Sequence, residues 1–175
     1  MHPIRFGIQT GQQHISWEEI LKTWQEAEEW GFDSAWDFDH FIPIFSDSSG
    51  PCLEAWTLLS ALAVKTERIR LGVMVTGNTY RHPAILANMA TTVDIISGGR
   101  LNLGIGAAWF DLEHRAYGIP LPPKGERIRR LEEAVQVIKL LWTEKRASFN
   151  GRYYQLRDAL CEPKPLQRPH PPIMI

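Results

Sequence analysis

Residues 68–83 read Arg68-Ile69-Arg70-Leu71-Gly72-Val73-Met74-Val75-Thr76-Gly77-Asn78-Thr79-Tyr80-Arg81-His82-Pro83, and the fold is decided there. An apolar run of strand length, rich in β-branched residues, breaks at Thr76-Gly77-Asn78 and passes through Arg81-His82-Pro83 into a pattern of helical spacing. No polar alternation interrupts the run, so both of its faces are expected to be covered, as in a parallel sheet wrapped by helices. Ligands of such folds sit at the carboxyl ends of the strands, which makes the break at Thr76 the first place to seek a site.

The same strand-then-helix unit recurs on both sides. Upstream, residues 4–10 read as a strand and Ser16-Trp17-Glu18-Glu19 as a capping box. Trp17, Ile20, Leu21, Trp24 and Ala27 then follow at helical spacing, with Gly31 suited to the C′ position. A second strand over 34–38 runs into Asp39-His40, and a helix over 53–66 is apolar on most sides. The helix that leaves the central stretch carries Ile85, Leu86, Met89 and Val93 on one face. Downstream, residues 100–105 form a fourth strand, and a helix over 125–142 points Ile128, Leu131, Val135, Ile138 and Trp142 at the core. Asn150-Gly151, between 147–149 and 152–156, signals a hairpin whose type I′ turn needs positive φ at both central residues. After a proline-rich passage at 163–172, Ile173-Met174-Ile175 starts a fifth parallel strand.

Four successive units imply a parallel sheet with right-handed crossovers, either doubly wound or part of a (β/α)8 TIM barrel. The first turn, Gln9-Thr10-Gly11-Gln12-Gln13-His14, lacks the glycine fingerprint of dinucleotide-binding sheets, which favours the barrel. A whole barrel takes about 250 residues. The 175 residues here are therefore expected to form a single domain, residues 1–175, amounting to the N-terminal half of a barrel with an added hairpin.

With 19 basic and 20 acidic residues, no global field points to nucleic acid or an anionic membrane, and a small molecule is the expected partner. Cys52 and Cys161 lie far apart with no pairing motif, as free thiols in a reducing compartment do. Residues 1–6 lack the apolar core of a signal peptide and no run approaches membrane-spanning length, so a cytoplasmic location is expected.

Asp37-Phe38-Asp39-His40 ends the second strand with two carboxylates on one face and an imidazole at the rim, a set suited to acid–base work or to fixing loop backbone. A metal site recruiting His14 or His82 ranks lower, since no ligand-spacing motif is present. Leu103-Gly104-Ile105-Gly106-Ala107-Ala108-Trp109 is a weak phosphate-loop signal. Its small residues would let a flat ring approach the backbone, or let the strand end pack tightly on its helix. Asp111 and Glu113 read either as acids in a site or, preferably, as a solvated helix face. Arg81 reads as a ligand-anion contact or as the partner of a local carboxylate.

Taken together, residues 34–40, Thr66-Glu67-Arg68-Ile69-Arg70-Leu71-Gly72, Val75 through Pro83, Asp94 through Ser97-Gly98-Gly99-Arg100-Leu101, residues 103–109, Gly151-Arg152-Tyr153-Tyr154 and Pro163-Lys164-Pro165 to Pro172 resemble the bacterial luciferase-like flavin-dependent oxidoreductases, particularly their deazaflavin-dependent branch. The resemblance implies a (β/α)8 barrel that binds coenzyme F420, or FMN, at the carboxyl ends of its strands. It implies that His40 assists proton transfer and that Asp39 contacts the cofactor. It further implies that Val73-Met74-Val75-Thr76 holds a bulge with a non-prolyl cis peptide behind the ring, with Val73, Met74 and Thr76 as contacts, and that Ala107 and Ala108 offer backbone to the cofactor. Trp109 stands where some members carry an acid. Three functions follow from it: hydride transfer between reduced F420 and an organic substrate, an FMN-dependent monooxygenation, or a non-catalytic half-barrel that assembles with itself or another chain. A homo-oligomer, at least a dimer, is expected, and the isolated half is expected to be inactive.

Overall fold

The computed structural model describes residues 4–175, so the reading made over Met1-His2-Pro3 lies outside the described residues. In chain order the elements are β1 (Gly7–Gln9), α1 (Trp17–Glu29), β2 (Ser34–Asp37), α2 (Ala55–Lys65), β3 (Arg70–Val73), β4 (Thr76–Gly77), α3 (Pro83–Ile96), β5 (Leu103–Gly106), α4 (Asp111–Ala116), α5 (Lys124–Thr143), β6 (Ala147–Asn150), β7 (Gln155–Ala159) and β8 (Ile173–Met174).

The capping box forms as expected: the Ser16 hydroxyl accepts from Glu19 N at 3.2 Å and the Glu19 carboxylate accepts from Ser16 N at 2.9 Å. Gly31 then takes the left-handed conformation, with φ 84°, that lets the chain turn back to the sheet. The α/β architecture is parallel in the order β1-β2-β3 and β4-β5-β8, and a parallel bridge from Leu71 to Leu101 joins the two sets. Within each set every parallel strand lies beside the parallel strand before it, and no reversal of order occurs among the described strands. The antiparallel pair β6-β7 stands apart.

The central strand is interrupted two residues earlier than the sequence suggests. A cis peptide joins Met74 to Val75, inside the stretch where the resemblance implies one, and Thr76-Gly77 resumes as β4 against Ile105 and Gly106. One side of the sheet packs on α2 and α3, where Trp56, Leu59, Leu62, Leu86 and Ala90 are buried against Leu71, Val73, Leu103 and Ile105. At Gly72 the opposite face is covered by the Trp36 ring, and a Cβ there would stand 2.6 Å from it.

Three details depart from the sequence reading. Ile128 is 62% exposed, because α5 is rotated so that Arg127 faces inward and donates to Ala108 O; Leu131, Ala134, Ile138, Leu141 and Trp142 make the buried stripe. Ile85 is likewise exposed, since α3 packs through Leu86, Ala87, Ala90 and Val93, whose small members allow close helix approach. The hairpin does not turn at Asn150-Gly151: Asn150 pairs with Gln155, leaving residues 151–154 as the loop. Its shape is set by Glu133 of α5, whose carboxylate accepts from the backbone N–H groups of Arg152, Tyr153 and Tyr154 at 2.8–3.1 Å.

Candidate active site

A cavity of about 970 Å³ opens at the carboxyl ends of β1, β2, β4 and β5. Its wall includes Gln9, Phe38, Asp39, His40, Met74, Val75, Gly77, Tyr80, Ala107, Ala108 and Trp109, and the loop after β2 adds Ile44 and Phe45. The inner strand ends are held by side chains from neighbouring units. The Gln9 amide donates to Met74 O at 3.0 Å, and the buried Gln12 amide donates to Phe38 O while accepting from Phe38 N.

Asp39 is buried and bound on three sides. Arg81 Nη1 and Nη2 reach its two oxygens at 2.5 and 3.0 Å, and Gly77 N donates to Oδ2 at 3.0 Å. Burial raises the carboxyl above its ordinary pKa, with Arg81 pulling in the other direction; the guanidinium, opposed by burial, is raised by Asp39. The arginine is thus a partner of a local carboxylate, one of the two roles its position suggested. Asp37 is fully buried behind the wall, and neither of its oxygens has a hydrogen-bond partner among the described residues. Burial, then the nearby charges of Asp39 and Glu54, hold its pKa well above the usual carboxyl range.

His40 sits edge-on among Phe38, Phe110 and Trp109, with ring centroids 5.6, 5.8 and 6.0 Å away. Its Nδ1 lies 3.0 Å from Glu113 Oε2. Glu113 is fully buried, and the reading of it as a solvated helix face is overturned. Its carboxylate accepts from Phe41 N, from Ile42 N at 3.2 Å and from the Tyr80 hydroxyl, tying α4 to the loops after β2 and β4. Burial alone would raise its pKa, but the hydrogen bonds from His40, Tyr80 and Phe41 N together lower it. Asp111 does take the solvated role, pairing with Arg115 at 3.0 Å on the exposed side of α4.

The sequence-derived contacts divide into two sets. Asp39, His40, Met74, Ala107 and Ala108 meet at the cavity wall. Val73 and Thr76 are fully buried behind it, and the Thr76 hydroxyl accepts from Trp56 Nε1 at 3.2 Å. Ala108 holds a left-handed φ of 62° and its carbonyl is fixed by Arg127. His14 lines the mouth near Asp47 O, whereas His82 caps α3 by accepting from Ala84 N. Among the described residues no three His, Cys, Asp or Glu side chains are placed to hold a metal ion. Nor is any described helix long and apolar enough to cross a membrane. Sequence reasoning weighed Glu113 as a site acid but preferred a solvated face, and it did not single out Tyr80; a helix of six residues offers too few positions for periodicity to assign its faces.

Comparison with known proteins places this geometry in context. The family model described as luciferase-like monooxygenase matches residues 1–175. An F420-dependent glucose-6-phosphate dehydrogenase of Kineococcus radiotolerans is 37% identical over 94% of this chain and 49% of its own length. An FMNH(2)-dependent dimethylsulfone monooxygenase of Pseudomonas putida is 34% identical over 93% of this chain and 44% of its own. Among solved structures, an F420-dependent secondary alcohol dehydrogenase in complex with an F420-acetone adduct superposes with a TM-score of 0.86 at 27% identity, over 97% of this chain and 51% of that one. The chain spans about half the length of the curated relatives it matches.

Proposed function

This chain belongs to the luciferase-like monooxygenase family, and on that premise we propose that it is the cofactor-facing half, a single domain over residues 1–175, of a (β/α)8 oxidoreductase that transfers hydride between reduced coenzyme F420 and a small organic substrate. The sequential order of the parallel strands supports the barrel, since a doubly wound sheet would reverse direction. The observation that carries the functional reading is the cavity itself: an imidazole backed by a buried carboxylate lines it at the strand ends together with Ala107 and Ala108.

The residues present fit a flat tricyclic ring. Ala107 and Ala108 leave the wall after β5 free of bulky side chains, while Tyr80 and Val75 lie over Gly77 and Gly106, and the cavity volume is within the range of cofactor sites. Asp39, Met74, Ala107 and Ala108 would hold the ring directly, with Val73 and Thr76 shaping the wall from behind. A reduced deazaflavin, if bound there, would supply the hydride. The chain's own contribution is to flank the His40 ring with Phe38, Trp109 and Phe110 and to handle a proton there.

The similarity to an FMNH(2)-dependent enzyme supports a second reading, in which the same wall takes FMN and the whole protein is a monooxygenase. Spectral titration with F420 and FMN separates the two; tighter binding of FMN would replace the first reading with the second. A cytoplasmic homo-oligomer acting on a small molecule completes the proposal. In the whole protein, His40→Ala is expected to slow turnover about 100-fold or more, as loss of a general acid–base does. An unchanged rate would remove His40 from the chemistry.

A further inference from the structure

We propose that Glu113 is a positioning residue that fixes the tautomer of His40, keeping the proton on Nδ1 and presenting an unprotonated Nε2 to the cavity; this rests on the reading of His40 as the proton-handling group. The argument is one of donors and acceptors. Three of the groups around the Glu113 carboxylate are the N–H of Phe41, the N–H of Ile42 and the hydroxyl of Tyr80. The backbone pair can only donate, and both bonds fall on Oε1. Oε2 lies between the Tyr80 hydroxyl and the His40 ring. An ionised carboxylate has no proton to give, so the ring nitrogen facing it must be the donor.

The rest of the ring has no competing partner. Its other neighbours are the edges and faces of Phe38, Trp109 and Phe110, and Nε2 makes no hydrogen bond to the described residues. The protein therefore holds the tautomer from one side only, and the free nitrogen is the one left for a ligand. In this form His40 can take a proton from a substrate hydroxyl or amine, whereas the opposite tautomer would turn an N–H toward it. Glu113 acts through His40 and touches no substrate itself.

The test is long-range proton–nitrogen correlation on the ¹⁵N-labelled 175-residue chain at about pH 9, where an ordinary imidazole is neutral. His40 is assigned by the signals lost in His40→Ala. The expected result is a proton-bearing Nδ1 and a bare Nε2, in about tenfold or greater excess, as a charge-assisted hydrogen bond imposes. A proton on Nε2, or an even mixture, would overturn the proposal. Glu113→Gln is expected to relax the excess to a mixture, and should its amide spectrum show an unfolded chain, Glu113→Asp, which withdraws Oε2 by one methylene, is expected to do the same. Retention of the wild-type tautomer in the folded variant would overturn the role given to Glu113. Tyr80→Phe removes a neighbouring donor without touching the ring and is expected to leave the tautomer in place; a switch there would transfer the role away from Glu113. If instead His40→Ala fails to slow the whole protein, the reading of His40 falls while the tautomer result stands, so the two failures are distinct.

Discussion

The guanidinium of Arg81 meets the carboxylate of Asp39 through both terminal nitrogens, at 2.5 and 3.0 Å, joining the start of α3 to the end of β2 across 42 positions of sequence. Both groups are largely removed from water, so the pair is a costly thing to break on one side only. Arg81→Met is expected to lose about 3–5 kcal/mol of stability by leaving Asp39 buried without its cation. The double variant Arg81→Met/Asp39→Asn should recover much of that. Urea unfolding measures both, and a loss below about 1 kcal/mol in the single variant would show that the pair is solvated in solution.

Asp37 contributes to stability with the opposite sign. Its pKa is raised in the folded chain, so between the ordinary value of 3.8 and that raised value the folded state binds more protons than the unfolded one. Stability then falls as pH rises through the window. Asp37→Asn, which needs no proton to be neutral, is expected to unfold at higher urea than wild type at pH 7. The difference should shrink as pH is lowered towards 3.8. A variant less stable than wild type at pH 7 would contradict this.

The Cys52 thiol is pushed up to about 11 from an ordinary 9.0, first by burial and then by the charge of Glu113, with Gln13 acting the other way. At pH 8 its thiolate should be about 100-fold scarcer than that of an ordinary thiol, and alkylation correspondingly slower. The rate should climb steadily with pH up to about 11. Rapid labelling at pH 8 would mean that the loop around Cys52 opens to water.

Ring contacts alone make a weak site. The cavity is open, and a ligand held against Asp39, Met74 and Ala108 leaves much of its surface in water. The isolated chain is expected to bind F420 or FMN with a dissociation constant above about 1 µM. A submicromolar value from calorimetry would identify it as a complete binding domain.

Among the described residues the outermost parallel strands, β1 and β8, each have one partner, and Ile4, Phe6, Met174 and Ile175 are exposed beside them. Unpaired edges flanked by apolar side chains template association. Light scattering at micromolar concentration is therefore expected to give at least twice the 20.0 kDa chain mass. A single peak at the chain mass would show that the edges protect themselves.

What could be read from the chain followed the range of each interaction. The Ser16–Glu19 box and the turn at Gly31 are local, and both form where the sequence puts them. The break in the central strand was legible to within two residues, whereas the cis bond between Met74 and Val75 was legible only through the family resemblance of residues 73–76, because no local pattern marks it. Glu113, the hairpin loop and the facing of α5 were misread for one physical reason. A single long-range polar contact settled each of them: Glu113 with Phe41 N, Glu133 with the N–H groups of residues 152–154, and Arg127 with Ala108 O. Such a contact outweighs the short-range preference that periodicity and turn propensity record.

The unbroken succession of the parallel strands also bears on how the chain comes to be folded. β2 docks on β1, β3 on β2 and β5 on β4, so each new strand finds its partner in polypeptide already made. Only β8 must reach back past the hairpin to β5. A ribosome releasing this chain from its N-terminus thus delivers β2, β3, β5 and β8 to edges already made, and the sheet can widen in step with synthesis instead of being deferred until its end.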